Sequence, residues 1–158
     1  QYSNPLHSGY KIIGTYINST MALHEAINKG ADEALLLDKN GFISEGSGEN
    51  IFIVKDGVIS TPKTEHCLNG ITRQSVIKIA KDFGYTIDEK NLTYEDLLDS
   101  DEAFFSGTAV EITPISKIDE TIIGSGTRGD VTEKLQSTYS DIVYGKNELY
   151  KDWLTLAS

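Results

Sequence analysis

Short apolar runs broken by turn residues, interleaved with longer stretches of helical period, predict a mixed α/β domain of hairpins and helices, not a doubly wound parallel sheet. Three observations carry this reading. Two hairpin patterns follow one another between residues 33 and 61, apolar residues recur at i, i+3, i+4 and i+7 from Val76 to Phe83, and two strand-like runs flank the small residues Gly107-Thr108-Ala109. At 158 residues, with 39% hydrophobic and 24% charged side chains, the chain has ordinary globular composition and is long enough to close one core without staples.

In chain order, Ile17, Met21, Ala22, Ala26 and Ile27 fall at helical spacing and Gly30 can end the turn, which predicts a helix over about 17–28. Residues 33–38 and 42–45 read as a hairpin with a buried first strand, because Ala34 to Leu37 lacks polar alternation and residues 38–41 supply the turn. A second hairpin, Ile51–Val54 with Val58–Thr61, turns at Lys55-Asp56-Gly57, where the glycine can take positive φ. After a loop over 62–69, Gly70-Ile71-Thr72 opens the clearest helix, with Val76, Ile79, Ala80 and Phe83 on one face before Gly84. A strand over 85–87, an acidic helix capped by Thr93 and strands over 102–106 and 110–115 follow. In the last helix Val131, Leu135, Tyr139 and Ile142 share a face, and Trp153 and Leu154 dock the tail.

Fourteen Lys and Arg against 24 Asp and Glu give a net charge of −10, which excludes nucleic acid as an expected partner but still permits a local anion site at a helix start. No apolar run is long enough for a bilayer and no signal-peptide pattern opens the chain, so no membrane partner and a cytoplasmic location are expected. The lone Cys67 excludes an intrachain disulfide and a cysteine-rich metal site. The polar, aperiodic stretch from Gln1 to Ser8 reads as a processed or truncated start, with residues 1–10 a linker remnant and 11–158 the domain proper.

Four places can carry chemistry. Lys11 stands before the first helix among Tyr10, Ile12, Ile13 and Tyr16; an amine drawn into such surroundings loses hydration and becomes competent for imine formation, though a lone lysine taken by itself reads far more readily as an exposed residue at a strand or loop edge. Glu45 closes the strand Phe42-Ile43-Ser44, where a buried carboxylate needs a cationic or protonated partner such as a pyridinium nitrogen; Glu49 reads as the more solvated of the two. At Gly70-Ile71-Thr72-Arg73 the free amides of a helix start make a phosphate cup, or Thr72 is simply the N-cap. At Ser106-Gly107-Thr108-Ala109 small residues let amides approach an anion, or form a plain β-turn.

Taken in order, Lys11 with Gly14-Thr-Tyr16, Asp32-Glu-Ala-Leu-Leu-Leu-Asp38, Ser44-Glu45-Gly-Ser-Gly-Glu-Asn50, Leu68-Asn-Gly-Ile-Thr-Arg73 and Ser106-Gly-Thr-Ala109-Val-Glu-Ile-Thr-Pro114 resemble the class IV aminotransferases, best the branched-chain amino acid aminotransferases. The resemblance runs from about Ser8 to Leu154. It implies the fold-type IV architecture of the D-amino acid aminotransferases, a pseudo-barrel of hairpins and helices forming the large C-terminal domain. It implies pyridoxal 5′-phosphate as cofactor, and amino acid and 2-oxo acid as substrates. Lys11 then resembles the residue that carries the cofactor and moves the proton, Glu45 the partner of the pyridine nitrogen, Tyr16 the phenol near the ring oxygen and Leu68 the residue packed on the ring face. The Ile71 amide, Thr72 and the Thr108 hydroxyl match the phosphate contacts, and the amides of Thr108 and Ala109 the receptor of the substrate α-carboxylate.

Two positions depart from the family pattern: Asn69 replaces a proline and Val110 an alanine. Family members also carry a smaller N-terminal domain that contributes an arginine to the phosphate and shapes the side-chain pocket, so the resemblance implies that such a domain is a missing partner and that the full-length protein is a homo-oligomer. D-amino acid aminotransferase and aminodeoxychorismate lyase share the lysine and glutamate, but the Gly-Thr-Ala bend and the Asp152-Trp-Leu-Thr155 tail favour the branched-chain enzymes. A non-catalytic folding or dimerisation module is the reading from another class.

Overall fold

The structure is a computed structural model and describes residues 10–155; the Ser8 end of the resemblance and the 1–9 part of the expected linker lie outside them. A 3-10 turn at Ile13–Thr15 leads into α1, Tyr16–Asn28. β1, Leu35–Leu37, and β2, Ile43–Gly46, form the first hairpin. β3, Asn50–Lys55, and β4, Val58–Pro62, form the second, with Asp56 and Gly57 both at positive φ (49° and 75°), the tight turn whose twist suits a hairpin. α2, Ile71–Asp82, crosses over to β5, Thr86–Lys90, which pairs parallel with β4. α3, Tyr94–Leu98, is closed by a capping box between Thr93 and Asp96. β6, Glu102–Gly107, β7, Glu111–Pro114, a small hairpin of β8, Lys117–Ile118, and β9, Thr121–Ile122, and then α4, Asp130–Val143, complete the order.

The main sheet runs β5-β4-β3-β6-β7, with one parallel pair at its edge and antiparallel pairing elsewhere. Period-two alternation sends neighbours on β3 and β6 into different cores. Phe52, Val54 and Phe104 pack beneath α2 and α4 with Val76, Ile79 and Leu135, and the facing pair Phe52 and Phe104 stacks at 5.0 Å between ring centroids. Ile51, Ile53, Ala103 and Phe105 face the other way, against Ile43 of β2, Leu97 of α3 and the partly buried Leu35 and Leu37 of β1. The pseudo-barrel is thus two sheets facing across this second core, with α2 and α4 outside the larger one. No helix among the described residues is long and apolar enough to cross a membrane.

Three expectations change. α1 forms, but Ile17, Met21 and Ile27 are exposed, because the helix docks on β1 through small residues: Ala22, with Ala26 against it, meets Ala34 and Leu36. Phe83 ends beyond the buried face of α2 and lies partly exposed under the ammonium of Lys134, 4.1 Å from its ring centroid. Tyr150 rather than Trp153 anchors the tail: it is buried against α4, its hydroxyl donates to Asp82 at 2.7 Å, and Trp153 packs edge-on to it from a more exposed position.

Candidate functional site

β3 pairs with β6 so that Asn50 stands opposite Ser106, and this register draws the 45–50 connection and the 106–109 bend to one end of the sheet. The loop before α2 reaches the same end. Asn50 holds it there, its side-chain amide donating to the Leu68 carbonyl at 2.6 Å while its oxygen sits 2.4 Å from where a Cβ on Gly70 would be. Only glycine at 70 lets the loop pass this close. Between these segments and the start of α1 lies a cavity of about 380 Å³.

Lys11, Tyr16, Glu45 and Leu68 border this cavity, as do Ile71, Thr72 and Thr108, so seven of the eight nominated residues converge on it from four separate stretches of chain. Ala109 follows on the same exposed turn but does not border it. Lys11 is exposed, with its Nζ 5.9 Å from the Tyr16 ring centroid, because Tyr10, Ile12 and Ile13, the residues expected to desolvate it, themselves face outward. Glu45 is buried and its Oε2 accepts the Leu68 N–H at 3.0 Å, which ties β2 to the loop that supplies the cavity's opposite wall.

Thr72 is not the N-cap. Gly70 takes that position with φ −61° and ψ 148° and no side-chain cap hydrogen bond, while Thr72 lies in the first turn, buried, with its hydroxyl 3.4 Å from that of Tyr139. The first-turn amides of α2 therefore meet no capping side chain, and the positive end of a twelve-residue helix faces the cavity. Arg73 turns away, donating to the Pro62 carbonyl at 2.9 Å, Glu89 at 2.7 Å and Asn69 at 3.2 Å, and so braces the loop from behind.

Glu49, expected as a solvated connector residue, is buried. Its side chain fills the space above Gly46 and Gly107, where added Cβ atoms would come within 2.9 and 3.3 Å of it. Burial first, and then a hydrogen bond and like charge from Glu33, push its carboxyl up to about 8. Glu49, Asn50 and Ser106 stand inside the sequence motifs, but motif reading gives their side chains no role at the site. For Ser106 a signal lies in Phe104-Phe105-Ser106, a polar residue continuing the buried face of an apolar strand.

A buried carboxylate at one wall, uncapped helix amides with Thr72 at another and an amine at the mouth form a donor set that fits a molecule with a protonatable ring nitrogen, a phosphate and a carbonyl. Pyridoxal 5′-phosphate has that combination.

The sequence profile described as amino-transferase class IV matches residues 2–118. The branched-chain-amino-acid aminotransferase of Pseudomonas aeruginosa is 55% identical over 143 residues, which is 90% of this chain and 47% of that protein. A probable branched-chain-amino-acid aminotransferase of Aquifex aeolicus is 45% identical, covering 96% of this chain and 50% of the relative. The crystal structure of a branched-chain aminotransferase from the thermophilic archaeon Thermoproteus uzoniensis with norvaline superimposes with a TM-score of 0.93 at 48% identity, over 98% of this chain and 53% of that one. The chain thus spans about half the length of the relatives it matches.

Proposed function

This chain belongs to the class IV aminotransferases, and on that premise we propose that it is the cofactor-carrying domain of a branched-chain amino acid aminotransferase acting on branched-chain L-amino acids with 2-oxoglutarate. The observation that supports this is the convergence on one cavity of an amine, a buried carboxylate and an uncapped helix N-terminus. Pyridoxal 5′-phosphate, when bound, supplies an electron sink that lets the Cα–H bond of an amino acid break. Lys11 would hold the cofactor through its amine and, with an amino acid bound, would be the group that takes and moves the Cα proton. Glu45, kept in place by the Leu68 N–H, holds the positive charge at the ring nitrogen. The amides of Ile71 and Thr72, the Thr72 hydroxyl and the Thr108 hydroxyl bind the phosphate, Leu68 packs on the ring, Tyr16 meets the ring oxygen, and the Thr108 and Ala109 amides receive the α-carboxylate.

The exposure of Lys11, Ile12 and Ile13 gives the partner domain its task. In the proposed full-length protein the half of the relatives that this chain does not match covers that face, excludes water from the amine and completes the side-chain pocket. The test joins this chain to the N-terminal half of the Pseudomonas aeruginosa relative and assays leucine with 2-oxoglutarate. The fusion should turn over and its Lys11→Ala variant should not, while this chain alone binds cofactor weakly and shows no turnover. A fusion that binds cofactor yet transfers no amino group, or one that works without Lys11, contradicts the reading.

A further inference from the structure

We propose that the Ser106 hydroxyl is an additional phosphate donor of this cavity, an inference that rests on the reading of the cavity as a pyridoxal phosphate site. Ser106 lies two residues beyond Phe104 on β6 and so shares its sheet face, the one that packs beneath α2 and α4 rather than the one that carries Ala103 and Phe105. That places the hydroxyl on the side of the sheet from which α2 starts, beside a cavity bordered by both Ser106 and Thr72.

Ser106 is 0% exposed, and its Oγ has no hydrogen-bond partner among the described residues. Three other fully or nearly fully buried hydroxyls are committed: Thr61 donates to the Ile51 carbonyl at 2.8 Å, Ser100 to the Leu97 carbonyl at 2.7 Å and Thr132 to Glu102 at 2.6 Å. A buried hydroxyl left without a partner destabilises the fold, so its retention beside a cavity marks a group held ready for something that enters. Its strand partner Asn50 makes no hydrogen bond to it: the Asn50 amide nitrogen donates to the Leu68 carbonyl and the oxygen lies against Gly70. The neighbouring polar groups at this wall are donors, namely the first-turn amides of α2, the Thr72 hydroxyl and the Thr108 hydroxyl. Donors converging at the positive end of a helix suit an acceptor-only anion, and a phosphoryl group offers enough oxygens to take one more. The carboxylate of Glu45, which also borders the cavity, suits the cationic remainder of the same ligand.

The test measures dissociation constants of pyridoxamine 5′-phosphate and of unphosphorylated pyridoxamine for this chain and its S106A and S106C variants, by phosphorus and proton NMR at millimolar ligand, together with ligand-free melting temperatures. S106A should weaken the phosphorylated ligand about tenfold, leave pyridoxamine unchanged and not lower the melting temperature, because it removes an unpaired polar atom. S106C, which keeps the volume and donates poorly, should also lose affinity for the phosphorylated ligand alone. An S106A affinity equal to that of the parent chain, an equal loss for both ligands, or an S106C variant that binds like the parent overturns the assignment. A parent chain that does not prefer the phosphorylated ligand overturns the cofactor reading itself, and the assignment with it.

Discussion

α2 and α4 both pack on the outer face of the main sheet, both begin after a glycine, and neither has a cap from the residue at that position. Their N-termini are nevertheless treated in opposite ways. At α4 the carboxylate of Glu102, reaching over from β6, accepts from the Val131 amide at 3.0 Å and from the Thr132 amide and hydroxyl at 2.7 and 2.6 Å. A Cβ on Gly129 would come within 2.1 Å of that carboxyl, so the glycine is there to admit it. At α2 no such carboxylate arrives, and the glycine admits the side chain of Asn50, which ties the loop and leaves the amides facing the cavity. Both ends carry the same partial positive charge. The fold neutralises the one it uses for packing and leaves the other uncapped at the cavity.

The largest expected effect comes from undoing the first arrangement. Glu102→Ala removes three hydrogen bonds to a charged group and should cost about 3 kcal/mol, or roughly 6–12 °C in melting temperature, with cofactor affinity scarcely moved. Thr72→Val should do the reverse, changing stability little because its contact with Tyr139 is long at 3.4 Å, and weakening the cofactor by about 1.5–3 kcal/mol, tenfold or more. If both variants lose stability and affinity together, the contrast between the two helices fails. In the fusion protein, Glu45→Gln should retain cofactor but slow proton abstraction, since a neutral amide cannot hold the ring nitrogen protonated; single-turnover rates would show it, and an unchanged rate would remove Glu45 from the chemistry.

A pH-dependent effect concerns Glu49, whose carboxyl is pushed from 4.5 to about 8 by burial and by Glu33. The folded chain holds this proton more tightly than the unfolded chain, so between about pH 4.5 and 8 the native state carries the extra proton and stability falls as pH rises. The slope from this group is at most about 1.4 kcal/mol per pH unit. Glu49→Gln should flatten the loss in melting temperature across that window; a variant that keeps the full slope would assign the titration elsewhere.

How much of this can be read from residues alone depends on range. The second hairpin and α2 are legible because their signals are local, an Asp-Gly turn and a repeat on one helix face. α1 is legible as a helix but not in its orientation, since the burial of Ala22 against Leu36 is a tertiary choice that the larger Ile17 and Met21 disguise. β8 and β9, two residues each, are too short to show alternation. The site is legible only as separate motifs, and their order points to a family before any geometry does. What joins them is the register that sets Asn50 opposite Ser106, a pairing across more than fifty residues that no local pattern encodes. Glu49 misleads for a related reason: the space it fills lies over Gly46 beside it and over Gly107 at a distant strand end.

The role proposed for Lys11 is to carry the cofactor. It is tested most directly by adding pyridoxal 5′-phosphate to the fusion protein, reducing with borohydride, and locating the phosphopyridoxyl group by peptide mass spectrometry. One dominant adduct is expected, on Lys11, that disappears in Lys11→Ala without reappearing at another lysine. An adduct spread over surface lysines such as Lys39 and Lys63, or a dominant one anywhere but Lys11, would contradict it.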